Sequence, residues 1–256
     1  MGKTIAIVNQ KGGVGKTTTA VNLVAAIGAR GYRVLLVDID PQGNSTSGLG
    51  VNKRQLEKST YDILVNTVPA ADVIVKTAYE NVSILPSSMS LAGAELELVE
   101  MNKRESRLKN ALAMVKEKYD FIFLDCPPSL GLITLNSLCA ADTLMVPIQC
   151  EYYALEGLSQ LMSTVRQIKR LYNPMIEMEG VLLTMYDGRL NLTQQVVDEV
   201  KKFFPKKVYS TVIPRNVRLS EAPSFGQPVM YYDRGSRGSA SYDELATEFL
   251  ELNNKI

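Results

Sequence analysis

Histidine is absent from all 256 residues. Its absence removes His general bases, Ser-His-Asp triads and imidazole-ligated metal centres. Cysteine is scarce: Cys126, Cys139 and Cys150, with no Cys-x-x-Cys pair. That spacing offers no disulfide framework and fits a reducing compartment. No apolar run approaches the ~20 residues needed to cross a bilayer. The chain enters a strand directly, so no signal peptide is expected. Net charge is only +1, yet it is uneven: residues 186–238 hold nine basic and five acidic side chains, and residues 239–256 hold one and four. A basic region in a near-neutral chain reads either as a local polyanion patch or as an ordinary solvated face. Hydrophobic residues make up 46% and charged residues 21%, enough apolar content for a real core.

The stretch that is present in full is Gln10 to Thr18, Gln-Lys-Gly-Gly-Val-Gly-Lys-Thr-Thr. An apolar run, Ile5 to Val8, precedes it and a helical pattern follows, so it reads as strand, glycine-rich loop, helix. Glycines let successive N–H groups converge on an anion, and a helix N-terminus adds unpaired donors and the positive end of its dipole. Gly12, Gly13, Val14, Gly15, Lys16, Thr17 and Thr18 form the candidate phosphate cradle. Lys16 supplies charge for the β- and γ-phosphates, and the Thr17 hydroxyl is placed for Mg²⁺. The usual pattern has glycine at position 10; here Gln10 stands there, and Lys11 adds a second lysine.

Arg33 to Asp38 reads as a strand buried on both faces, as in a parallel sheet, ending in Asp38-Ile39-Asp40-Pro41-Gln42-Gly43-Asn44. Ligands of open α/β sheets sit beyond the carboxyl ends of strands. Asp40 is therefore expected to orient Mg²⁺ or the attacking water, while Asp38 also fits a structural cap of its strand. Thr60 or Ser59 is expected to cap a helix. A strand at 82–86 follows, then helices near Leu91–Val99 and Arg104–Lys118. Phe121 to Asp125 is a buried strand ending on an acid, the Walker B arrangement in which Asp125 holds Mg²⁺. Strands are expected at Thr143–Ile148, Val181–Met185 and Val208–Ile213. Helices are expected at Glu151–Tyr172, Leu192–Phe204 and near Ala240–Leu252. Residues 1–256 read as a single doubly wound α/β domain, a mostly parallel sheet with helices on both faces.

Together these motifs resemble the deviant Walker-type ATPases of the MinD/ParA superfamily of P-loop NTPases, and within them the ParA/Soj group of chromosome-partitioning ATPases. Three stretches mark the wider family: Asn9 to Thr18, Asp38 to Asn44 and Leu124 to Ser129. Two are more specific to the partitioning group: Gln149 to Gly157 and Ile213 to Pro223. The resemblance covers essentially the whole chain. It implies ATP and Mg²⁺ as cofactors and an ATP-sandwich homodimer in which Lys11 reaches the partner subunit's phosphates, acting like an arginine finger in trans. It implies that Asp40 positions the hydrolytic water, that Asp125 is the Walker B acid, and that Pro214 and Asn216 read the adenine. It further implies sequence-independent binding of double-stranded DNA through Arg189 and Arg218, with Lys201, Lys202, Lys206 and Lys207 as helpers. A ParB-type centromere-binding partner would stimulate hydrolysis and release, and the protein would be cytoplasmic and nucleoid-associated.

Related nucleotide switches bridge an iron–sulfur cluster, which makes Cys126 an alternative ligand. A cluster needs several thiolates, so a small buried core cysteine is preferred. Strand one is expected to begin near Lys3, so no N-terminal helix-turn-helix is expected. The acidic tail, Glu248 to Ile256, does not suit an anionic membrane. A positioning ATPase without DNA binding, and a phosphotransferase or redox switch, remain the competing functions.

Overall fold

The computed structural model describes residues 2–151 and 154–256. Tyr152 and Tyr153, in the middle of one motif, lie outside the described residues. Among those residues eight strands form one sheet: β1 (Lys3–Ile7), β2 (Val34–Asp38), β3 (Val75–Lys76), β4 (Val82–Leu85), β5 (Phe121–Asp125), β6 (Thr143–Gln149), β7 (Glu177–Tyr186) and β8 (Ile213–Pro214). Their order is β3-β4-β2-β5-β1-β6-β7-β8. Every pairing is parallel except β3 with β4.

The central strands are apolar on both faces because both faces are covered. Alternate residues divide between two clusters. Ile5, Ile7, Leu36 and Phe123 pack with helix α1 (Lys16–Gly28) and the C-terminal helix Arg237–Leu252. Ala6, Leu35, Ile122 and Leu124 face the other cluster, with Leu98, Leu138, Leu161 and Val196 from helices on the opposite side. The C-terminal helix buries Tyr242, Leu245, Ala246, Phe249 and Leu250, so its apolar stripe is part of the core. Among the described residues no helix is long and apolar enough to cross a membrane.

Several boundaries differ from the sequence reading. The strand expected at Val208–Ile213 is a single bridge, Val208 to Val181, followed by the two-residue β8. Between Val181 and Thr184 on β7 the facing chain runs from Val208 to Ile213. The surplus residues bulge out, and the Ser210 and Thr211 N–H groups donate to the Glu248 carboxylate at 2.6 and 2.8 Å instead of to a neighbouring strand. The helix expected at Arg104–Lys118 is shorter, Arg107–Ala113 plus a 3-10 turn at Lys116–Lys118. The long helix is described from Ala154 to Leu171. Ser59, not Thr60, is the cap, forming a reciprocal capping box with Asp62.

Candidate nucleotide-binding site

The loop from Asn9 to Gly15 joins β1 to α1 beyond the carboxyl end of the sheet. Gly13 at φ 73° and Gly15 at φ 87° give the left-handed bends that curl it. Among the described hydrogen bonds, none is donated by the N–H groups of Gly12, Gly13, Val14 or Gly15, so four donors are free to meet an anion. The loop is anchored from two sides. Asn9 donates to the Pro147 carbonyl at 2.8 Å and accepts from the Lys11 N–H at 3.0 Å. The Thr184 hydroxyl on β7 donates to the Val14 carbonyl at 2.9 Å.

Lys16 is the first residue of α1 and is buried. Its amine donates to the Lys11 carbonyl at 3.1 Å and, among the described residues, forms no ion pair. Burial lowers its pKa, and the nearby carboxylates of Asp125 and Asp40 act against that shift. A buried cation at a helix N-terminus, facing free N–H groups, is built to receive phosphate oxygens. Lys11 points elsewhere. Its amine pairs with Glu151 at 2.5 Å, with the two side chains 37% and 47% exposed. Gln10, where the pattern breaks, donates to Gln160 at 2.7 Å.

Asp38 and Asp125 end the adjacent strands β2 and β5 in direct register. Asp38 accepts from the Thr46 N–H and hydroxyl at 2.8 and 2.7 Å and from the Asp40 N–H at 3.2 Å. These bonds tie down the loop after β2, so this carboxylate is the structural cap. Asp125 accepts from the Ser45 hydroxyl on one oxygen. Its other oxygen, Oδ1, is buried and has no hydrogen-bond partner. Burial raises the pKa of both acids; the charge of Asp125 adds to the rise at Asp38, while the Ser45 bond and the nearby Thr17 hydroxyl pull Asp125 back. Asp40 is also buried, and its Oδ1 accepts from the Gln42 N–H at 2.9 Å.

An orphaned carboxylate oxygen beside the Thr17 hydroxyl fits a divalent cation. Among the described residues no group of three or more acidic or thiol side chains could hold a metal alone. That suits Mg²⁺, which takes one or two protein ligands and completes its shell with phosphates and water. Cys126, Cys139 and Cys150 are buried, and burial pushes their thiols up to about 12, 11 and 11. They behave as core residues, not as cluster ligands.

Other candidates lie apart from the loop. Pro214 ends β8, and Asn216 caps the short helix Val217–Glu221, accepting from the Arg218 N–H at 2.9 Å. Pro214, Asn216 and Arg189 line one cleft of about 1010 Å³ together with Tyr186 and Arg215. Arg189 pairs with Asp187 at 2.6 Å, and Arg218 with Glu221 at 2.7 Å and Asp233 at 3.1 Å. Lys201 and Lys202 stand exposed in the last turn of the helix Asn191–Phe203, and Lys202 pairs with Glu199. The structure does not bring these two lysines into the cleft that holds Arg189. Reading the sequence missed the residues that hold the candidates in place: Ser45, Thr46, Glu151 and Thr184. The hydroxyls of Ser45 and Thr46, one turn beyond Asp40, were the available signal; the partnership of Thr184 with Val14 spans 170 residues and left none.

A glycine-rich phosphate cradle, a buried lysine at its helix N-terminus and paired strand-end aspartates define a P-loop nucleoside triphosphatase. The "AAA domain" family model matches residues 2–178. The chain is 60% identical over 248 residues to the sporulation initiation inhibitor protein Soj of Bacillus subtilis, covering 97% of this chain and 98% of that one. It is 49% identical over 250 residues to the chromosome-partitioning ATPase Soj of Treponema pallidum, covering 98% of each. Among solved structures it resembles cobyrinic acid a,c-diamide synthase from Mycobacterium smegmatis with bound ADP and magnesium, at 37% identity and a TM-score of 0.86, over 99% of this chain and 96% of that one. The chain belongs to the ParA/Soj family of chromosome-partitioning ATPases. It is an ATPase, with ATP and Mg²⁺ as cofactors.

Proposed function

We propose that the protein is an ATP-dependent dimeric switch that segregates chromosomal or plasmid DNA. The observation that carries this reading is the position of Lys11. Its amine turns away from the cradle that Lys16 fills from within, and its one ion pair among the described residues, to Glu151, is half in water. An exposed pair of that kind contributes roughly 0–1 kcal/mol and is readily exchanged for a phosphate. A second lysine that its own subunit does not need fits a nucleotide site completed by another copy.

In this reading the loop N–H groups from Gly12 to Thr18 and the Lys16 amine hold the β- and γ-phosphates, and Pro214 and Asn216 hold the adenine. Thr17 and Asp125 hold Mg²⁺, with Asp40 beside them; the bound ion neutralises charge on the phosphoryl oxygens. Asp40 orients the water that attacks the γ-phosphorus as the bridging P–O bond breaks. Lys11 of each subunit stabilises the charge that develops in the other. Closure requires the γ-phosphate because only ATP offers contacts to both subunits, which gives the open and closed states different affinities.

The closed dimer then binds duplex DNA without sequence preference through Arg189 and Arg218, helped by Lys201 and Lys202. A ParB-type centromere binder triggers hydrolysis and release, in the cytoplasm on the nucleoid. In the single chain both arginines are neutralised in cis by Asp187, Glu221 and Asp233. This favours one competing reading, a positioning ATPase without DNA binding. A gel-shift titration at low salt separates them. Retention of duplex DNA with ATP and Mg²⁺, lost with ADP, supports partitioning; no retention in either state supports positioning alone.

A further inference from the structure

Lys53 belongs to none of the motifs, yet its amine reaches the turn that carries Asp40. Residues Lys53–Gln55 form a single 3-10 turn capped by Asn52, whose side chain accepts from the Arg54 N–H at 3.1 Å. From this turn Lys53 Nζ donates to the Gln42 carbonyl at 2.7 Å. The Gln42 N–H donates to Asp40 Oδ1, and the Gly43 N–H closes the turn on the Asp40 carbonyl at 2.9 Å. The lysine stem lies across Gly43: a Cβ there would come within 2.7 Å of Lys53 Cδ. Gly43 also sits at φ 63°, so the position favours glycine for its backbone. Among the described residues Lys53 forms no ion pair; its one bond goes to this carbonyl.

We infer that Lys53 is a positioning residue for ATP hydrolysis, its amine clamping Gln42 so that the turn aims the Asp40 carboxylate. The inference rests on the proposed role of Asp40 as the residue that orients water. An ammonium donating to a carbonyl is a charge-assisted bond, stronger than a neutral one. Gln42 is held by it at one end and holds Asp40 at the other. Without the clamp the Gln42–Gly43 peptide can rotate, and small displacements of an orienting group reduce rate steeply. Lys53 has no contact with the phosphate loop in the described hydrogen bonds, so turnover and not nucleotide affinity is what it controls.

The test is steady-state hydrolysis by the full chain with ATP and Mg²⁺. Lys53→Met keeps the stem over Gly43 and removes the ammonium; Lys53→Arg keeps a charged donor. The expected result for Lys53→Met is a kcat about threefold to tenfold lower, the range set by one ordinary, solvent-exposed hydrogen bond, with KM changing less than about twofold. Lys53→Arg should recover most of the rate. Lys53→Met added to Asp40→Ala should slow that variant no further, since both act at one point. Wild-type kcat in Lys53→Met beside an inactive Asp40→Ala overturns this inference alone. Wild-type turnover in Asp40→Ala overturns the role of Asp40 and the inference with it. A kcat loss that Lys53→Arg fails to restore and that parallels a lowered unfolding temperature overturns positioning in favour of a folding role.

Discussion

Replacing Thr184 by valine isolates the bond that holds the phosphate loop to the sheet. The Thr184 hydroxyl donates to the Val14 carbonyl at 2.9 Å, and the two residues are 2% and 1% exposed. Valine has nearly the same shape, and its second methyl stands where the hydroxyl stood. That methyl would stand 2.9 Å from the Val14 carbonyl oxygen, tighter than ordinary van der Waals contact, so the carbonyl must also give way slightly. The change therefore removes a hydrogen bond and leaves a buried carbonyl without a partner, which costs about 1–3 kcal/mol. Some of that cost falls on the fold and some on the loop geometry that binds phosphate. Urea unfolding of the nucleotide-free protein should show a loss of about 1–2 kcal/mol, and titration with a fluorescent ATP analogue should show affinity about threefold to tenfold weaker. Thr184→Ser, which keeps the donor, should bind nearly as the wild type does. Unchanged affinity in Thr184→Val, or equal impairment in Thr184→Ser, would refute the idea that this bond shapes the loop.

Lys16→Ala should abolish ATP binding, because it removes the buried charge that the free loop donors surround; binding within tenfold of wild type by calorimetry would contradict that. Asp40→Ala should bind ATP and stay closed, with hydrolysis near background in a phosphate-release assay. The strand-end acids predict a pH effect on the nucleotide-free protein. Burial raises Asp38 to about 7 and Asp125 to about 6, against about 3.9 for an unfolded aspartate. The folded chain thus holds more protons than the unfolded one between these values. The associated stability is fully present below pH 4 and is lost as pH rises through 6 to 7, on the order of 2–4 kcal/mol between pH 5 and pH 8. Urea midpoints measured across that range should fall in the wild type and fall less steeply in Asp125→Asn, where Asp38 alone still titrates; a wild-type midpoint that rises with pH contradicts the assignment.

The parallel core was legible because strands buried on both faces appear as unbroken apolar runs, as in Val34 to Asp38 and Phe121 to Asp125. The phosphate loop was legible because its chemistry is contiguous in the chain. Elements decided by distant partners were not. The segment after Val208 has the composition of a strand but leaves the sheet, because a carboxylate on the last helix satisfies its N–H groups. The helix Leu132–Ala140 lies buried on several sides, with Ile133, Asn136, Ser137 and Leu138 all covered, so its periodicity is blurred. Within the site, Asp38 and Asp40 are two residues apart with similar surroundings in sequence. Only the position of Thr46 and the register with Asp125 show that Asp38 has its bonds filled from its own loop. Lys11 was recognisable as an extra cation, whereas its ion pair with Glu151, 140 residues away, was not.

Light scattering on the eluting protein, with and without ATP and Mg²⁺, bears most directly on the claim that a second subunit completes the site. With Asp40→Ala to suppress hydrolysis, the mass should double from 28.2 kDa on adding ATP. The same protein carrying Lys11→Ala should bind ATP and remain at the single-chain mass. A doubled mass in the Lys11→Ala protein, or a single-chain mass with ATP when Lys11 is present, would contradict it.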